Sequence, residues 1–138
     1  MVTRYRTSAL NDDGGTGVSR VPNGLEVAVS NPLQPGHDTR ASNPEQLLAL
    51  AWATCLNATA QAIVSGARRT AVRVEVALRD ADGRTGYEFV VTAFVSGEGL
   101  DETEASSLAV AAHERCPISR LLQASPLAEV RGEAWSAA

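Results

Sequence analysis

The sequence predicts an α+β domain with a mostly antiparallel sheet. Several segments alternate apolar and polar residues with a period of two, as half-buried strands do. The dipeptide Asp82-Gly83 sits between two of them as a hairpin signal. A long apolar helical run and a shorter one with a capping signature interrupt the strands.

Residues 2–10, VTRYRTSAL, read as a strand and NDDGG as the turn after it. GVSR is a short strand, followed by a turn at Pro22 to Gly24. In residues 25–30, Leu25, Val27 and Val29 alternate with Glu26, Ala28 and Ser30, a further strand. Two prolines and a glycine make residues 31–42 a loop. The long helix has Asn43 as N-cap, Pro44 as its first residue and Gln46 as its third, and runs to about Ser65 before Gly66. Residues 71–80 and 85–96 are the two arms of the hairpin. A second helix starts near Asp101, with Glu104 completing a capping box, and ends around Arg115. Pro117 disfavours helical geometry at Cys116. A short helix at about 118–123 and a last strand at about 127–133 complete the order β-β-β-α-β-β-α-β. With no repeats and no long linker, residues 1–138 are expected to form one domain.

Composition narrows the function classes. Charged residues are 20% and apolar residues 44%, as in soluble globular proteins. Aromatics are only 4%, so the core is expected to be built from Ala, Val and Leu. A net charge of -4 and scattered basic residues argue against nucleic acid as a partner. The N-terminus lacks the apolar region of a signal peptide. Thr54, Asn57, Thr59 and Gln61 interrupt the apolar run 47–64, so it reads as a buried helix and not as a membrane span. Two cysteines are too few for a secreted disulfide scaffold. A cytoplasmic location follows, where a cysteine pair is more often catalytic or redox-active than structural. An apolar helix of this length needs cover on nearly all sides, which points to an obligate dimer.

The chemistry rests on Cys55, inside the long helix, and Cys116, just before Pro117. From its apolar neighbours alone Cys55 reads first as a packed core thiol, with a redox thiol as the other reading. The redox role needs a thiolate, a reachable partner thiol and a substrate pocket. An arginine beside it would stabilise the thiolate and hold a peroxide oxygen in line, with a carboxylate to fix the arginine's plane. Glu45 suits that carboxylate, and suits a capping and helix-dipole role as well. His113 and Cys116, with Cys55, offer three metal ligands. A structural zinc needs a fourth, and only His37 or a carboxylate remains. No cofactor is implied.

The segments SNPEQLLALAWATC and AHERCPIS resemble the two cysteine motifs of the OsmC/Ohr family of thiol-dependent peroxidases, in the same order and at a similar separation. The resemblance implies an intertwined homodimer with two active sites at the subunit interface. It implies Cys55 as peroxidatic nucleophile, Cys116 as resolving thiol and Glu45 as the arginine-orienting carboxylate. It further implies organic hydroperoxides, including lipid-derived ones, as substrates, and an external dithiol such as a lipoylated protein as reductant. In the hydroperoxide-resistance subgroup the catalytic arginine follows a glycine pair near the N-terminus, but here that stretch is DDGGTGVS and Thr16 takes its place. Arg40 is the first candidate to replace it and Arg20 the second, and each also reads as a solvated surface charge. Ile118 and Trp52 depart from the family pattern and imply a reshaped pocket. The other reading on the same fold is a non-enzymatic redox sensor or a binder of small apolar ligands.

Overall fold

The computed structural model describes residues 1–136, and the chain groups into two compact units, Met1–Leu47 and Leu48–Ala138. In the first unit, β1 (Leu10–Asn11), β2 (Gly17–Arg20) and β3 (Glu26–Val29) form an antiparallel sheet in the order β1-β2-β3. The strand expected over residues 2–10 shrinks to Leu10–Asn11. Leu10 pairs with Arg20, and the next partner in register, Val21, already belongs to the turn into β3, its N–H donating to Leu25 O at 2.8 Å. Residues 1–9 therefore have no strand within the unit to pair with, and they lie exposed. The loop after β3 is closed by backbone bonds from Ser42 to Ala28 at 2.8 Å and from Ser30 to Ser42 at 2.9 Å.

Helix α1 (Pro44–Val64) starts where the sequence places it, with Asn43 Oδ1 accepting the Gln46 N–H at 2.9 Å. It stops where Ser65 (φ 51°) and Gly66 (φ 75°) turn left-handed, a conformation that Gly66 adopts without a Cβ penalty.

The second unit holds a sheet of β4 (Thr70–Asp80), β5 (Tyr87–Gly97) and β6 (Ala128–Gly132), in the order β4-β5-β6. β4 and β5 pair antiparallel from Thr70↔Gly97 to Asp80↔Tyr87. Their connection spans residues 81–86, with an Ala81 N–H to Gly86 O bond at 2.9 Å, and is longer than a two-residue turn at Asp82-Gly83. β6 runs parallel to β5. The crossover between them contains α2 (Glu102–Arg115) and α3 (Pro117–Leu122). The expected capping box of α2 is present: Asp101 accepts from the Glu104 N–H at 2.8 Å, and Glu104 accepts from the Asp101 N–H at 3.1 Å. α2 lies so close to β6 that a Cβ on Gly132 would fall 2.1 Å from Ser106 N and 2.5 Å from the Ala105 carbonyl carbon.

The core of this unit joins three elements. Trp52, Leu56 and Ala60, spaced four apart on one stripe of α1, pack in one cluster with Val91, Ala93 and Val95 of β5 and Leu108, Ala109 and Ala112 of α2. Burying a side chain such as Leu56 contributes about 1.5–3 kcal/mol. Another stripe of α1 is bare: Leu50, Ala51, Thr54 and Ala58 are exposed. By length and composition alone α1 could cross a membrane, and only 17% of its most apolar 18-residue window is buried within the chain.

Candidate active site

Two helical elements carry the thiols. Cys55 stands on α1, directly before Leu56 and three residues after Trp52, so core packing holds its turn of helix in place. Cys116 caps α2, and Pro117 forces it out of the helix to φ -66°, ψ 125°. Its N–H still donates to Ala112 O, and its carbonyl accepts from Arg120 N–H, each at 2.9 Å. Cys116 is thus pinned from both sides and fully buried, whereas Cys55 is half-buried. The structure brings the two sulfurs to 3.3 Å with both thiols free. A disulfide needs about 2.05 Å, so closure would bring the sulfurs a little over 1 Å nearer than this contact.

Burial pushes the Cys55 thiol above its ordinary value. The Ile118 backbone amide opposes that shift, and the neighbouring Cys116 thiol adds to it. His113, one turn before Cys116, faces the Trp52 ring at 6.4 Å between centroids. Burial holds its imidazole below the usual range, against an opposing pull from Glu114. Its Nδ1 is buried without a hydrogen-bond partner among the described residues. Among the described residues no three His, Cys, Asp or Glu side chains gather as a metal site, so Cys55, His113 and Cys116 form no ligand set.

The first unit holds the other candidates. Glu45 sits in the first turn of α1, and its Oε2 is buried with no hydrogen-bond partner among the described residues. Arg40 is 90% exposed and pairs with Asp38 at 3.1 Å. The Arg40 backbone N–H, with that guanidinium, holds the Asp38 carboxyl below the usual range. Arg20 pairs with Asp12 at 3.4 Å. Each candidate arginine therefore already has a carboxylate partner. A cavity of about 520 Å³ is lined by Asn11, Gly14, Gly15, Ser19, Val29, Pro44 and Leu47. Thr16 directly follows that glycine pair.

One feature of the site escaped the sequence reading. Trp52 Nε1–H donates to Ser119 Oγ at 2.9 Å, with both residues fully buried. The only signal for it is spacing, since each residue lies three positions from a cysteine.

Comparison with known proteins agrees with the two cysteine motifs. A family model described as OsmC-like protein matches residues 36–131. An organic hydroperoxide resistance protein-like protein of Mycoplasma pneumoniae is 32% identical over 132 residues, which cover 89% of this chain and 90% of the relative. The organic hydroperoxide resistance protein OhrA of Bacillus subtilis is 33% identical over 99 residues, 70% of each chain. In structure, an organic hydroperoxide resistance protein OsmC from Legionella pneumophila superposes with a TM-score of 0.82 at 25% identity, covering 98% of this chain and all of the other.

Proposed function

This chain belongs to the OsmC-like protein family, and on that premise we propose that it reduces organic hydroperoxides, including lipid-derived ones, to alcohols. The names of its relatives support a role in hydroperoxide resistance. The observation that carries the catalytic reading is the 3.3 Å contact between two free thiols on separate helical elements. In the first step the Cys55 thiolate attacks the terminal peroxide oxygen. An S–O bond forms, the O–O bond breaks, and the alkoxide takes up a proton and leaves as the alcohol. Cys116 then attacks the sulfenic sulfur, forming the Cys55–Cys116 disulfide and releasing water. An external dithiol returns two electrons and two protons through a mixed disulfide. Lipoylated proteins are the proposed class of reductant.

In this reading Arg40 leaves Asp38, its partner in the structure, to supply the guanidinium that Thr16 cannot, and Glu45 would then fix its plane. The unpartnered Glu45 Oε2 supports a missing cation, because a buried carboxylate oxygen without a donor is costly. Arg40→Ala should slow the first step by about 100-fold, as loss of one charge-stabilising donor does. Unchanged peroxide kinetics in that variant would remove Arg40 from the mechanism. The bare apolar stripe of α1 supports a homodimer in which a second copy covers it. The whole chain is proposed to work as one domain, in the cytoplasm.

One observation favours a second reading. With Thr16 in place of an arginine and its own thiol raised by burial, Cys55 suits a thiol that lines an apolar pocket for a small ligand without turning over. Peroxide consumption with excess dithiothreitol separates the two. Many equivalents of cumene hydroperoxide consumed, faster than hydrogen peroxide, is the result expected of the peroxidase. Consumption no faster than with dithiothreitol alone would mean a binding protein that does not cycle.

A further inference from the structure

The elements that carry the two thiols meet at a second point. Trp52, one turn before Cys55 on α1, donates its indole N–H to Ser119, three residues beyond Cys116 in α3. Among the described residues this is a side chain–side chain hydrogen bond with both partners at 0% exposure. In such a place an unmatched N–H costs more than the bond is worth in water, so slipped packings of α3 on α1 are disfavoured. The rigid indole leaves little play in where Ser119 sits. Ser119 also directly follows Ile118, whose backbone amide serves Cys55.

We infer that Trp52 and Ser119 are a positioning pair that sets the separation of Cys55 and Cys116, and with it the ease of disulfide closure. Its biological meaning rests on the dithiol cycle proposed above. Precise placement of a resolving group raises its effective concentration, and that placement depends on supporting side chains. Removing the bond frees α3 to shift on α1, so the two sulfurs spend less time in contact.

The test reads the disulfide itself. Oxidised protein is equilibrated with reduced and oxidised dithiothreitol. The reagent gives two electrons and two protons to the protein disulfide and becomes its own cyclic disulfide. Trp52→Phe keeps an aromatic ring and loses the N–H, while Ser119→Ala loses the acceptor. Each should shift the equilibrium about tenfold toward the two thiols, which is about 30 mV in potential. The double variant should shift no further than either single one. Val91→Ala, a core truncation that leaves the hydrogen bond intact, should leave the equilibrium where it is in the unsubstituted protein. Equilibria within twofold of the unsubstituted protein, or a shift no larger than that of Val91→Ala, would overturn the positioning role. If the unsubstituted protein forms no Cys55–Cys116 disulfide at all, the inference falls together with the peroxidase reading. If it closes the disulfide and the variants do not differ, the inference falls alone.

Discussion

Replacing Cys116 with serine removes the thiol 3.3 Å from Cys55 while keeping the site filled. A group confined within that contact radius has a local concentration on the order of 10 M from volume alone, before any gain from orientation. A dithiol at about 1 mM in solution is then about 10⁴-fold more dilute, so the Cys55 sulfenic acid should live about 10⁴-fold longer in Cys116→Ser. A lifetime of that order gives a second hydroperoxide time to carry Cys55 on to the sulfinic and sulfonic acids. The assay adds one and then several equivalents of cumene hydroperoxide, traps sulfenic acid with dimedone and weighs the intact protein. The unsubstituted protein should show neither adduct nor added oxygen. Cys116→Ser should be trapped nearly completely after one equivalent and carry extra oxygens after several. A variant trapped no more than the unsubstituted protein would refute the argument that the buried thiol resolves Cys55. Cys116 is fully buried, so an unpaired serine hydroxyl costs about 1–3 kcal/mol, and assays belong well below the unfolding midpoint.

Burial and the Cys116 thiol keep Cys55 protonated at neutral pH, so peroxide consumption should climb about tenfold per pH unit between pH 6 and 8. It should level off only above the ordinary thiol range, and a plateau already at pH 6.5 would contradict the raised thiol. His113 is held below its ordinary value of 6.5, so the unfolded chain binds the proton more readily than the folded one. Its contribution to stability is therefore complete above pH 6.5 and is lost as the pH falls below it. His113→Phe should flatten that acid limb in urea midpoints measured between pH 7.5 and 5, and an unaltered limb would assign it to other groups. Gly132→Ala forces a Cβ against the α2 backbone and should cost about 2–3 kcal/mol in urea unfolding. A change below 0.5 kcal/mol would show that α2 lifts away at little cost.

Local chemistry was the legible part of the chain. The Asn43 cap, the Asp101 and Glu104 box and the break at Pro117 each depend on a few neighbouring residues, and each stands where the sequence places it. Alternation likewise located β4 and β5. Pairing partners were less visible. β1 shortens because its neighbour turns at Val21, and the parallel seating of β6 on β5 is a property of the crossover, which no pattern within Ala128–Gly132 reveals. In the site, the closeness of Cys55 and Cys116 came from motif resemblance, since their spacing in sequence says nothing about distance in space. The Trp52–Ser119 bond was hidden for the same reason. The choice between Arg40 and Arg20 for the proposed guanidinium depends on packing outside any local window. Arg40 and Arg20 look alike in sequence and both carry carboxylate partners in the structure.

Cys55 and Cys116 are proposed to form one redox unit driven by organic hydroperoxide. Its most direct test is a count of free thiols before and after one equivalent of cumene hydroperoxide, with hydrogen peroxide in parallel and peptide mapping of the product. Both thiols should disappear, faster with the organic oxidant, into a Cys55–Cys116 linked peptide that dithiothreitol reverses. Two thiols still free after the oxidant would contradict it.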